Sequence, residues 1–217
     1  MENTMRKILL SMALLFTVIG MSVGVSYAEQ FVDGKDYKTV EQQPTSTGNK
    51  VEVLEFFWYG CPHCYHFEPF LSKWVSQQPA NVEFIRVPTV FREDWKVHAR
   101  TYYALEEIGL NEKMHSKIFN EIHKNMHRLD TLDTMTDFLV TQGVDKKAFT
   151  ESYNSFSVDA KMRKAVALQN AYKIDGVPAI VIDGKYKTDG SMAGNYDRLL
   201  KIMDYLVAKA GAKKGEK

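Results

Sequence analysis

The chain has 217 residues, 45% apolar and 25% charged, with 28 basic against 27 acidic side chains and a net charge of +1. This is ordinary globular composition. Its charge balance excludes a nucleic-acid binder working through a basic surface, two cysteines exclude a multiply stapled scaffold, and 13 glycines with 6 prolines exclude a collagenous or linker-like chain.

Residues 1–28 read as a secretory signal. Arg6 and Lys7 form a positive start, Ile8 to Val25 is apolar and uncharged, and Ser26-Tyr27-Ala28 puts small residues at −3 and −1 of a cleavage site before Glu29. An uncleaved membrane anchor is the alternative, because the apolar run is near the lower length limit for a bilayer span. Export implies an oxidising compartment, where a close cysteine pair persists as a disulfide.

Val51-Glu52-Val53-Leu54-Glu55-Phe56-Phe57-Trp58 predicts a strand buried on both faces, broken by Tyr59-Gly60. A helix is expected from Cys61-Pro62, since proline suits a first helical turn, with an apolar stripe at Phe67, Phe70, Leu71, Trp74 and Val75 and a kink at Pro69. Val82 to Val87 is a second strand, so a right-handed parallel crossover is expected. Helical stripes follow at Tyr102, Leu105 and Ile108, at Met114, Ile118, Phe119 and Ile122, and at Leu132, Met135, Phe138 and Leu139, the last with Asp130 as its candidate N-cap. Phe149 and Tyr153 suggest a short helix and Asp159 to Lys173 a longer one. Strand character returns at Val177 to Ile182, Asp183-Gly184 is a hairpin turn, and Lys185-Tyr186-Lys187 leads back as a solvated edge. A last amphipathic helix carries Tyr196, Leu199, Leu200, Met203, Leu206 and Val207, and the tail from Ala208 is expected to fray.

Cys61-Pro62-His63-Cys64 falls where a strand ends and a helix begins. Unpaired N–H groups and the positive end of the helix dipole stabilise a thiolate there. Two intervening residues place the second sulfur one turn away, close enough for a small disulfide ring. Cys61 is therefore the expected exposed nucleophile and Cys64 its resolving partner. His63 puts a positive or hydrogen-bonding group beside the Cys61 thiolate, which favours the thiolate and makes the disulfide a stronger oxidant.

The segment Phe56-Phe57-Trp58-Tyr59-Gly60-Cys61-Pro62-His63-Cys64-Tyr65 resembles the active-site segment of the DsbA family of periplasmic disulfide oxidoreductases, and Gly176-Val177-Pro178 resembles its Gly-Val-Pro segment. The family is itself a standing example of a low-pKa thiol in an oxidising disulfide. The resemblance runs from near Lys35 to Ala208. It implies an α/β, thioredoxin-like fold, a central mixed sheet flanked by helices, with an inserted all-helical domain. The expected division is 1–28 signal, 29–93 and 163–209 thioredoxin-like, 94–162 inserted and 210–217 a flexible tail. The resemblance also implies a periplasmic location and donation of the Cys61–Cys64 disulfide to newly translocated cysteine-containing proteins. Cys61, Pro62, His63 and Cys64 form the redox centre, and Val177 with a cis Pro178 holds the substrate chain beside it. Reoxidation falls to a quinone-linked membrane partner of the DsbB type. No cofactor, metal or nucleic acid is implied, and a monomer is expected.

Glu55 shares a strand face with Val51, Val53 and Phe57. The resemblance places it beneath the buried cysteine, where it helps move a proton; a strand end reaching water is the alternative. Met192 is implied to line an apolar groove for peptides, against an ordinary exposed methionine. Glu68 either joins an acidic network, with Arg86 as a possible partner, or is solvated. His66, His98, His115, His123 and His127 read as solvated, and Phe56, Phe57, Trp58 and Phe70 as core.

Other readings of the cysteine pair remain. A structural CxxC staple would constrain the chain little, and a zinc site lacks a second cysteine pair. An isomerase or reductase on the same fold is open, although the roughly 22 residues between Ala28 and Val51 are too few for the dimerisation domain usual in isomerases. A secreted peptide-binding protein that retains only the groove is the last alternative.

Overall fold

The computed structural model describes residues 31–215; the signal segment and its cleavage after Ala28 lie outside the described residues. Among the described residues there are five strands: β1 (Lys38–Thr39), β2 (Val51–Phe57), β3 (Val82–Pro88), β4 (Ala179–Ile182) and β5 (Tyr186–Asp189). Their order in the sheet is β1-β5-β4-β2-β3, with β2 and β3 parallel and the other neighbours antiparallel. The helix α1 (Pro62–Ser76) crosses from β2 to β3. Between β3 and β4 come α2 (Lys96–Glu107), α3 (Asn111–His123), α4 (Leu132–Thr141), α5 (Lys146–Tyr153) and α6 (Phe156–Ala171), and the chain closes with α7 (Gly190–Ala193) and α8 (Tyr196–Gly215).

All seven residues of β2 are buried, as a strand covered on both faces requires. Val51 and Val53 pack with Phe67, Leu71, Leu199 and Met203, whereas Leu54 and Phe56 join the cluster of Tyr102, Leu105, Tyr172 and Val181. Each such side chain stabilises the fold by about 1.5–3 kcal/mol through the apolar surface it removes from water. Strand and crossover aim the carboxyl end of β2 at the start of α1, where the cysteines lie. The Asp183-Gly184 turn forms as expected, both residues having positive φ (51° and 67°). Gly184 has a second constraint, because a Cβ there would lie 2.3 Å from the carbonyl oxygen of Gln43.

Several expectations change. β1 escapes the sequence reading because two residues carry no periodicity. It pairs with β5, so β5 is not an edge, and Lys187 is buried with its ammonium donating to the carbonyl of Lys173 at 2.8 Å. The helix α4 is capped by Thr131, in a reciprocal box with Thr134, and not by Asp130. The helix α6 starts at Phe156 behind a Ser155 cap, three residues before Asp159, and runs across position 162. Pro178 precedes β4, and α8 continues to Gly215 where the composition suggested fraying from Ala208. Pro69 lies inside α1, which continues to Ser76. Among the described residues no helix is long and apolar enough to cross a membrane.

Candidate active site

Cys61 is the N-cap of α1 and Pro62 occupies its first turn. The turn before it is tight: a Cβ on Gly60 would lie 2.3 Å from the Trp58 ring, so only glycine lets that ring fold back over the turn. Trp58 stacks on Trp95 with centroids 3.8 Å apart and planes within 5°. Cys61 and Cys64 are both thiols here. The backbone N–H of Cys64 donates to Cys61 Sγ at 3.4 Å, and Cys61 Sγ donates to the carbonyl of Val177, also at 3.4 Å. The Val177–Pro178 bond is cis.

The two thiols are displaced in opposite directions. Cys61 is pulled down to about 6, mainly by the hydrogen bond from the Cys64 side chain, against the opposing effect of burial; the backbone N–H groups of Cys64 and His63 add to it, and the charge of His63 contributes least. Burial pushes Cys64 well up, helped by the Cys61 sulfur and the nearby Glu55. Two expectations are thereby adjusted. Cys61 is the more accessible sulfur residue but is only 6% exposed, and His63, itself exposed, assists the helix end without dominating it.

Beneath the pair lies a buried charged network. Glu55 is 1% exposed, which removes the alternative that it reaches water from a strand end. It sits opposite Arg86 in the β2–β3 register, with Arg86 Nε 3.2 Å from Glu55 Oε2. The contact lacks the alignment of a hydrogen bond, and neither atom has a hydrogen-bond partner. Arg86 Nη2 does bond Glu68 Oε1 at 2.8 Å, and Glu68 also meets Ser72 Oγ at 2.5 Å and His115 Nε2 at 3.3 Å. Burial drives the Glu55 carboxyl up to about 8 against the pull of Arg86. Burial raises Glu68 too, but His115, Arg86 and Ser72 together overcome it and hold the carboxyl down at about 2. Of the two readings of Glu68, the network is the one present.

Other residues fall differently from expectation. His98 and His115 are buried and His123 is half-buried, in contrast to the solvated reading; His66 and His127 are exposed. His98 bonds the Leu129 carbonyl at 3.1 Å and burial lowers it to about 4. His123 stacks on Tyr65 and bonds the Tyr59 carbonyl at 2.7 Å. A signal for two of them was present in the sequence: His98 is four residues before Tyr102 and His115 four before Phe119, each on the apolar stripe of its helix. Phe70 is 42% exposed rather than core, and Trp58 is half-buried. Tyr196, which sequence reasoning placed only in a helix stripe, packs between Phe67 and Phe70 and donates its hydroxyl to the carbonyl of His63 at 3.1 Å. Met192 is half-buried in α7, its backbone N–H bonded to Asp189. Among the described residues no three His, Cys, Asp or Glu side chains are grouped to hold a metal.

Comparison with known proteins points to one family. A family model described as DSBA-like thioredoxin domain matches residues 84–204. The Thiol:disulfide interchange protein DsbA of Burkholderia cepacia is 43% identical over 204 residues, covering 92% of this chain and 96% of its own length. The protein of the same name from Pseudomonas aeruginosa is 42% identical over 217 residues, covering 99% and 100%, and so spans the cysteine pair that the family model leaves out. The crystal structure of Pseudomonas aeruginosa DsbA superposes with a TM-score of 0.82 at 42% identity, over 86% of this chain and 97% of that one.

Proposed function

Since the chain belongs to the DSBA-like thioredoxin domain family, we propose that it is a thiol:disulfide oxidoreductase that donates the Cys61–Cys64 disulfide to newly exported, cysteine-containing proteins. The observation that carries this reading is the opposite displacement of the two thiols, Cys61 towards the thiolate and Cys64 towards the protonated form. A disulfide is easily reduced when the dithiol it becomes is stabilised, here by a Cys61 sulfur that is stable as a thiolate.

A substrate thiolate attacks Cys61 Sγ, the Cys61–Cys64 bond breaks, and its electron pair leaves on Cys64 Sγ. Glu55, protonated below about pH 8, is the nearby acid that gives this buried sulfur its proton. A second substrate thiolate then attacks the substrate sulfur of the mixed disulfide and Cys61 leaves as a thiolate. The substrate loses two electrons and the pair gains them. Cys64 can instead attack Cys61 and free a stalled substrate. The backbone N–H groups at the start of α1 stabilise the leaving thiolate, His63 adds to them, and Pro62 fixes the first turn. Val177 and Pro178 position the incoming chain through main-chain contacts, and Met192 lines its groove. The protein acts as a periplasmic monomer after cleavage behind Ala28, and a quinone-linked membrane partner of the DsbB type reoxidises it. In an assay of disulfide formation in a reduced protein, Cys61→Ser abolishes activity and Cys64→Ser accumulates mixed disulfides. Retained activity in Cys61→Ser overturns the reading.

A further inference from the structure

Tyr59, His115 and Glu68 form a buried chain beside the cysteine pair, drawn from three elements. Tyr59 lies in the active-site turn, Glu68 in α1 and His115 in α3 of the insertion. Tyr59 Oη is 3.0 Å from His115 Nδ1, and His115 Nε2 is 3.3 Å from Glu68 Oε2. The end groups fix the protons. Glu68 is ionised and can only accept, so Nε2 carries the hydrogen. Burial keeps the imidazole neutral and the Tyr59 phenol protonated, so Tyr59 donates to the bare Nδ1. One imidazole thus ties the turn that carries Cys61 to the helix that carries Cys64.

The far end of the chain bears on Arg86, which serves two buried carboxylates. It makes an aligned 2.8 Å bond to Glu68 and a poorly aligned 3.2 Å contact to Glu55. Any change in where Glu68 sits changes what is left of the guanidinium for Glu55. Resting on the function proposed above, we propose that His115 is a positioning residue for the disulfide chemistry: it holds Glu68 in place and thereby fixes how Arg86 is divided between Glu68 and the acid beneath Cys64.

Without the His115 N–H, Glu68 keeps Arg86 and Ser72, stays ionised and draws the guanidinium away from Glu55. Arg86 is the cation that favours the Glu55 anion, so Glu55 then keeps its proton to higher pH. The charges facing Glu55 are Arg86 from β3, Glu68 from α1 and the two thiols; those facing His115 are Glu68, Arg86 and Glu112, with the Tyr59 and Tyr102 phenols packed on its ring.

The test is the equilibrium of the mature protein with glutathione, measured across pH for wild type, His115→Phe, His115→Gln and Tyr59→Phe. Wild type should show an inflection near pH 8 where Glu55 ionises beside the sulfurs. His115→Phe should move it upward by roughly half a pH unit, about a threefold change in the equilibrium constant at that pH. His115→Gln, which restores an N–H towards Glu68, should bring most of it back. Tyr59→Phe, which releases only the far side of the imidazole, should give a smaller shift of the same sign. An inflection unmoved in His115→Phe, with both redox forms destabilised equally, means a purely structural histidine and overturns the proposal, as does a wild-type profile with no inflection. If His115→Phe does not fold, Tyr59→Phe decides by the same criterion. A wild-type disulfide that resists glutathione at every pH instead overturns the function on which the proposal rests.

Discussion

Cys61 and Cys64 are the same chemical group one helical turn apart, yet the rim that holds the first and the floor that holds the second work against each other. At the rim, the Cys64 side chain, and after it the backbone N–H groups of Cys64 and His63, bond a sulfur that is pulled down to about 6 against its own burial. At the floor, burial pushes the other sulfur well up, and the Cys61 sulfur and then Glu55 add to it. Neither environment depends on a special residue type at the sulfur itself. The difference comes from the hydrogen bond between the two thiols, from the deeper burial of Cys64 and from the helix N–H groups at Cys61, and it divides two identical thiols into a thiolate and a proton-holding partner.

The largest test of the floor is Arg86→Met. It leaves two buried carboxylates without their shared cation and should destabilise the protein by about 3 kcal/mol, the lower end of what breaking a buried pair entails, because Glu55 already carries a proton at neutral pH. Denaturant unfolding of the oxidised form reads it, and a loss under about 1 kcal/mol contradicts the network. A smaller test addresses the rim. Gly60→Ala would put a Cβ 2.3 Å from the Trp58 ring and so forces that ring away from Trp95, with an expected loss of about 1–3 kcal/mol and a change in near-ultraviolet circular dichroism. An unchanged spectrum means that the turn does not depend on the stack.

The rim was far more legible in the sequence than the floor. The break at Tyr59-Gly60, the proline in the first turn and the cysteine spacing are local signals, and so is the Asp183-Gly184 turn. Alternation along β2 placed Glu55 inside for the same reason. The floor depends on what comes from far away in the chain. Arg86 reaches Glu55 because two parallel strands fall into register, and His115 reaches Glu68 because α3 packs across α1, neither of which a window of sequence contains. Lys187 looked solvated until β1, too short to carry a pattern, covered the strand beside it. The apolar stripes mark His98 and His115 as buried, but nothing local names the Leu129 carbonyl or the Glu68 carboxylate that meets each ring.

The most direct measurement is the pH titration of thiolate absorbance in the dithiol form, with the disulfide form as blank. The rim-and-floor account predicts one thiolate with a midpoint near 6 and a second sulfur still protonated beyond the ordinary cysteine value of 9.0. The folded pKa of Cys61 is depressed, so its contribution to the stability of the dithiol form is complete above about pH 9 and is lost as pH falls through about 6. The disulfide form, which has no thiolate, lacks this dependence. Two thiols titrating together near 9, with the stability difference between redox forms flat across that window, would contradict the account.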